Sequence, residues 1–466
     1  MVTASPNDSA DHAKTNSVQP TYLLHYKNVR LIFLTEFYMG PFTHDRRDNV
    51  LRKHSGKVEE IDERFYDKRY LRLVEHVISI DLGTLELSGI DGSAATRIAE
   101  ERRTISGEAY RRILDTPSIL QGTTLVSYAR IYPTGVCVIR AQIDLPEELD
   151  ADQLVGLTNA IADFDAPLLT TGQERVSLRD IFKRHIRLLT QGEELAGFAF
   201  DIYSIIVPGC LLPDWNDAKR YYDPKYELEL FAVSVRRVEN WRNLDVDMPR
   251  RTQRSISPYL SDLVIPNFHN ALVYARSELP TDFFIVGIET IRASRHLMQE
   301  FDFAINSRLK KLTQIPRSRK ELEEMLQETE NLRIRSAAAL EEFRMLSASA
   351  ATRTTIMLQA LTETFGLDTM VNSLRSKIED LDSLLVSQYG ILAQKEAERA
   401  SNFLQWLLVV LTLILVVITI PSSSELVTVI RSILPFPYDL LVIPSLLIAG
   451  VALALLVIRK RTVRSA

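Results

Sequence analysis

The residues of this chain with the clearest chemical spacing are uncharged. Gln405, Thr412 and Thr419 are the polar side chains of an otherwise apolar run, Phe403 to Ile420 (FLQWLLVVLTLILVVITI), and they stand seven residues apart. Seven residues is nearly two helical turns, so all three fall on one face of a helix, with Asn402 less than a turn away. Polar groups are costly against lipid, and such a stripe is expected to face protein or water. Several copies around an axis would make an uncharged, hydrogen-bonding path for an ion, with Val409, Leu413 and Val416 nearby as an apolar constriction. The alternative is that each threonine bonds its own i−4 carbonyl while the glutamine reaches the membrane interface. Glu425 and Asp439, in the segment that follows, would form acidic rings at the mouth of such a path or simply mark the membrane boundary.

Conventional catalytic signatures are missing. No HExxH, GxxxxGK[ST] or GxSxG occurs, and the 8 His and 2 Cys form no cluster of zinc spacing. Asp163-x-Asp165 and Asp245-x-Asp247 are pairs able to touch a divalent ion, but acidic loops produce such pairs by chance. Arg250, Arg251 and Arg254, like Arg317, Arg319 and Lys320, read as solvated or helix-start charge. No enzyme activity is expected, no catalytic residue is assigned, and any metal site is unassigned. The 55 Lys and Arg against 60 Asp and Glu give a net charge of −5, with no basic field for nucleic acid. With 46% hydrophobic residues and 17 Gly in 466, the chain is neither disordered throughout nor collagen-like.

The elements that position the polar stripe are membrane spans. Residues 403–420 make 18 residues of helix, about 27 Å, close to the thickness of a bilayer core. A second run, Leu440 to Ile458 (LLVIPSLLIAGVALALLVI), has 19. Between them, residues 421–439 are too short for a domain and are expected to be an extracytoplasmic loop. Basic residues resist translocation, and Arg459, Lys460, Arg461 and Arg464 follow the second run. The tail 459–466 and everything before the first span are therefore expected in the cytoplasm, with an inner cell membrane crossed twice. The segments after Ile420 carry five basic and two acidic residues, so the −5 of the whole chain leaves −8 for the part before them. Cys137 and Cys210 are flanked by apolar residues and read as reduced core cysteines.

Residues 1–20 are polar, have no signal-like apolar core and read as a disordered tail. Residues 21–280 mix strands and helices without a strict repeat, an α/β or α+β cytoplasmic domain. Strands are expected within Val29–Phe37, Val74–Leu87, Glu227–Arg236 and Ala271–Arg276. A hairpin is expected where Pro133-Thr134-Gly135 joins Leu125–Tyr132 to Val136–Leu145. Helices are expected at Gly107–Leu114, Asp152–Asp163 and Ser177–Leu189.

Strand signals stop at Pro280, and residues 281–402 read as a helical stalk of long antiparallel, coiled-coil helices. Phe284, Ile288, Ile291, Leu297, Phe301 and Ile305 give one helix from 281 to about 313. Ser318-Arg319-Lys320-Glu321 is a capping box that opens a second, running to about Phe365 before Gly366 breaks it. Asp368 is placed to cap a third. Its seam is Val371, Leu374, Ile378, Leu381 and Leu385, and the register continues through Gln388, Leu392, Lys395, Arg399 and Asn402 into the first span. Stalk and first span then form one helix of about 80 Å.

The order of parts resembles the CorA-type magnesium channel superfamily: a cytoplasmic α/β domain, antiparallel helices, one very long helix entering the membrane, a short outer loop, a second span and a basic tail (RKRTVRSA). The resemblance implies a homopentamer in a lipid bilayer with its first spans lining the pore. It also implies Mg2+ or another divalent cation as permeant or regulatory ion, with no other cofactor; the charge balance, separately, gives no expectation of a nucleic-acid partner. The Gly-Met-Asn motif of that family is absent; Pro421-Ser422-Ser423-Ser424 stands in its place. Magnesium selectivity is therefore not implied. The expected function is a CorA-like channel or transporter with a cytoplasmic sensing domain. The alternative is a membrane-anchored ligand- or nucleotide-sensing effector or scaffold without selective transport.

Overall fold

The computed structural model describes residues 24–40, 49, 52, 58–59, 77–91, 117–163, 169–172, 174–190, 201–212, 224–236, 255–257, 259, 261–276, 280–312, 319–349 and 352–419. The tail 1–20, the helix expected at Gly107–Leu114, the outer loop, the second span and the basic end lie outside these residues. The described chain has mixed α and β content, with a sheet-rich N-terminal region and a long apolar helix near the C-terminal side. It divides into two compact units. One is Met1–Phe301 with Ala338–Asn372, and the other is Asp302–Ala337 with Ser373–Ala466.

The first unit is built on β1 (Val29–Tyr38), β2 (Val58–Glu59), β3 (Ile78–Glu86), β4 (Thr124–Ile131), β5 (Val136–Leu145), β6 (Tyr203–Val207), β7 (Leu263–Pro266) and β8 (Asn270–Tyr274). Among the described residues these pair in the order β7-β8-β6-β1-β5-β4-β3-β2. All contacts are antiparallel except β6 with β8. The longest register, β1 on β5, sets Val29 opposite Leu145 and Tyr38 opposite Val136. The expected hairpin is present, and Gly135 closes it: its amide donates to the Tyr132 carbonyl at 2.9 Å, with φ at 88°. A Cβ there would stand 1.9 Å from the Gly40 carbonyl oxygen, which is backbone and cannot swing away. Gly135→Ala is therefore expected to lower the unfolding free energy by about 2 kcal/mol, from the left-handed backbone plus the clash. A urea midpoint unchanged from wild type would contradict this.

Alternation along β1 divides the sheet into two faces. Val29, Leu31, Phe33 and Phe37 enter a continuous apolar core with α1 (Ala151–Asp163), α2 (Leu178–Thr190) and α3 (Pro224–Val235). Helices α1 and α2 begin where expected, each on a reciprocal cap. Asp150 accepts from the Gln153 amide at 2.8 Å, and the Gln153 side chain accepts from the Asp150 amide at 3.1 Å. The Ser177 hydroxyl donates to Asp180 at 2.7 Å, which holds that carboxyl below its usual range.

The segment Glu227–Arg236 corrects the expectation of a strand, for all of it but Arg236 lies in α3. Leu230, Phe231, Ala232, Val233 and Ser234 are consecutive and all buried, so the segment has no amphipathic period and its alternation at 227–230 is incidental. Glu229, inside this buried run, accepts the Leu24 amide at 3.2 Å.

The second face of the sheet carries Glu36 on β1, Arg140 on β5 and Arg130 on β4. It is covered by the first part of α4 (Thr281–Leu312), whose Phe284, Ile288, Ile291 and Leu297 are buried at the expected spacing. Two helices follow where one long helix is expected: α5 (Arg319–Ser349) and α6 (Thr352–Thr364), with residues 350–351 outside the described part. Met357 and Leu361 of α6 meet Gly287 of α4, and Phe365 lies 5.8 Å from Tyr203 between ring centroids.

Gly366, at φ 64°, turns the chain into α7 (Leu367–Thr419), 53 residues long. Asp368 falls in its first turn rather than ahead of it, where its charge complements the helix dipole. In the second unit, Leu326, Leu381 and Leu385 form a core with Leu309, Met325 and Leu392 packed against it. Ion pairs bind the same helices: Lys377 to Asp302 at 2.6 Å and Arg333 to Asp382 at 3.2 Å.

Candidate functional site

The expected seam of α7 is the packed one. Leu374, Ile378, Leu381 and Leu385 are buried, whereas Val371, Gln388 and Leu392 are half-buried. Beyond Leu392 the packing ends. From Ala393 to Leu415 every described side chain is exposed except Val410, which is half-exposed. The exposed part is first polar, Ala393 to Asn402, and then apolar, with Leu408 66% and Trp406 40% exposed. This helix is long and apolar enough to cross a membrane. Among the described side chains this apolar surface is covered only in part at Val410, and an exposed apolar surface of this extent is one that a partner or a membrane covers.

Asn402, Gln405 and Thr412 are all exposed on this segment. The Thr412 hydroxyl donates to the Leu408 carbonyl at 2.7 Å, so its proton is already used within the helix. Its oxygen retains acceptor capacity. Leu408, Val409, Thr412 and Leu413 line one shallow, open groove, which brings the expected constriction residues beside the threonine. Thr419 is the last residue of α7, and its side chain lies outside the described set, as does Val416. Glu425 and Asp439 lie outside the described residues. Lys395 and Arg399 are exposed on the polar part of the helix.

A second concentration of chemistry, between the sheet and α4, was not singled out in the sequence. Arg292 is 3% exposed and grips Glu36 with two parallel bonds, Nε to Oε1 at 2.5 Å and Nη2 to Oε2 at 2.7 Å. Its Nη2 also reaches Asp201 at 3.2 Å, and its guanidinium lies 4.5 Å from the Tyr203 ring centroid. Burial opposes the Arg292 charge, but the Glu36 carboxylate overcomes this and drives its pKa upward. Further along the same face, the fully buried Glu289 lies between Arg130 and Arg140, with Arg140 at 3.6 Å. Asp282 adds a longer contact to Arg140 at 3.8 Å. The sequence signal for these groups was charge inside otherwise apolar runs, such as Glu36 in VRLIFLTEFY and Arg292 in FIVGIETIRASRHLM. Among the described residues no three His, Cys, Asp or Glu are grouped to hold a metal ion.

His296, one turn beyond Arg292, is mostly buried and lies 3.7 Å from Glu300. Burial pushes its pKa below the ordinary 6.5; Glu36, Glu300 and Asp201 pull the other way, and Arg292 adds to the depression. The folded protein therefore holds His296 neutral where the unfolded chain takes up a proton. The resulting stability is present above about pH 6.5 and is lost as pH falls through the folded value. Unfolding in urea is expected to show wild type losing up to about 1.4 kcal/mol per pH unit more than His296→Gln across that window. Parallel pH profiles for the two proteins would contradict it.

No protein-family model, curated protein or solved structure matches the chain.

Proposed function

We propose that the chain is an integral membrane channel or transporter of CorA-like plan, for divalent metal cations, with the α/β unit as its cytoplasmic sensing domain. Copies of α7 surround an axis, as a homopentamer if the plan is followed fully. Asn402, Gln405, Thr412 and Thr419 line the path, with Glu425 and Asp439 at its outer mouth. The chain crosses the inner membrane twice, by α7 and by residues 440–458, with both termini cytoplasmic. The observation that carries this reading is the helix itself. It is packed as far as Leu392, continues without a break to Thr419, and is apolar and uncovered from Phe403 to Leu415. Lipid and neighbouring copies are the partners such a surface needs.

A membrane-anchored sensing effector without selective transport is the second reading. It is favoured by the Thr412 hydroxyl bonding its own helix and by the exposed Lys395 and Arg399 on the approach to the span. Reconstitution separates the two. Purified protein in liposomes is expected to pass Mg2+ or Co2+, and Thr412→Leu to change that flux severalfold. A wild type that passes no divalent ion, or one that is monomeric by native mass measurement, would end the channel reading and leave the effector.

A further inference from the structure

Arg295 is the one buried cation of the Arg292 cluster that lacks a carboxylate. It is 8% exposed, forms no ion pair among the described residues, and rests with its guanidinium carbon 3.9 Å from the Phe268 ring centroid. Its Nε has no hydrogen-bond partner. Arg292, three residues earlier, spends Nε and Nη2 on Glu36 and Asp201, while its Nη1 is buried and unpartnered. His296 Nε2 is likewise buried without a hydrogen bond. Positions 292, 295 and 296 share one face of α4, so three unmet nitrogens belong to one small region.

The charges there do not balance. Two guanidiniums are buried against one buried carboxylate, Glu36, and Asp201 is half-exposed and already engaged by Arg292. A guanidinium out of water without a counter-charge is unfavourable, and buried polar groups in folded proteins are almost always satisfied. Burial, and after it the Arg292 charge, lower the Arg295 pKa, while Asp201 and Glu36 pull the other way without overcoming them. At the edge of the cluster, Phe268, whose ring lies over Arg295, and His269 are exposed at the β7–β8 turn, their rings 5.0 Å apart. His269 stands 4.0 Å from Asp201 at the same edge.

We propose that this region is a binding site for a small phosphate-bearing anion, held by Arg295 with Arg292 Nη1 and His296 beside the Phe268-His269 turn. A guanidinium fork suits a tetrahedral oxyanion, and a neutral imidazole offers one further N–H. The group comes from a free phosphate compound or from a lipid headgroup, and the chemistry of recognition is the same. Because binding is read without any flux, the site stands or falls independently of ion conduction.

The test uses full-length protein. In detergent, inorganic phosphate is expected to raise Tm by about 2–4 °C at saturation, relative to sodium chloride of equal ionic strength. In a second arm, nanodiscs containing phosphatidic acid are compared with phosphatidylcholine alone. A shift in the first arm assigns a soluble ligand, and a shift in the second alone assigns a headgroup. Arg295→Gln is expected to abolish the shift. Should that variant fail to fold, Arg295→Lys, which keeps the charge but not the fork, is expected to weaken binding about tenfold by calorimetric titration. Silence in both arms, an equal response to chloride, or undiminished binding in either variant overturns the site.

Discussion

Glu36→Leu is expected to lower the free energy of unfolding by about 3–5 kcal/mol, the cost of leaving a buried guanidinium without its partner. Both members of the pair are almost wholly inside, Glu36 at 5% and Arg292 at 3% exposed, so solvent does little to soften the loss. Asp201 still reaches Nη2 at 3.2 Å, which places the result toward the lower end of that range. The sign depends on which partner remains. Removing both, as Glu36→Leu with Arg292→Met, leaves apolar groups against Leu34 and Tyr203 and is expected to recover most of the loss. Urea titrations of the detergent-solubilised protein, with unchanged slope, measure both. A single substitution costing less than about 1 kcal/mol would mean that water or another group reaches the guanidinium.

The second large effect concerns α7. On the membrane reading proposed above, Leu408→Lys places an ammonium in the middle of the apolar stretch, at a cost of about 2.5–3.5 kcal/mol for insertion. Asn402→Lys, at the polar end of the same helix, is expected to cost far less, because on that reading the long side chain reaches the headgroups. Carbonate extraction of membranes measures the difference. The Leu408 variant should move substantially into the soluble or aggregated fraction while the Asn402 variant stays in the pellet. Equal retention of the two would show that residue 408 does not sit in hydrocarbon.

Local signals are most legible where one rule dominates. Pro133-Thr134-Gly135 between alternating runs admits few structures besides a hairpin, and the heptad seam from Leu374 to Leu385 admits few besides a packed helix. Reading failed at Glu227–Arg236, where burial on all sides erased the helical period. The better signal was Asp223-Pro224, a helix-start pair that precedes it. The charged cluster was legible only in part. That Glu36 sits in an apolar strand is visible in sequence, but its partner is 256 residues away, and nothing local names it. Arg295 was less legible still, since what sets it apart is the lack of a partner. Spacing alone suggests the polar stripe of Gln405, Thr412 and Thr419, and spacing cannot tell that the Thr412 proton goes to the Leu408 carbonyl.

The docking of α6 also constrains how the chain is made. Tyr203 of the sheet meets Phe365, and Gly287 of α4 meets Met357 and Leu361, so packing of the first unit is complete only once residues far beyond its strands have been synthesised. Until then a partly apolar surface waits uncovered, a state in which nascent chains need chaperones. The apolar stretch beginning at Phe403 leaves the ribosome soon afterwards. Completion of the first unit and emergence of the apolar part of α7 are thus close neighbours in time, and a pause between them would expose both surfaces at once.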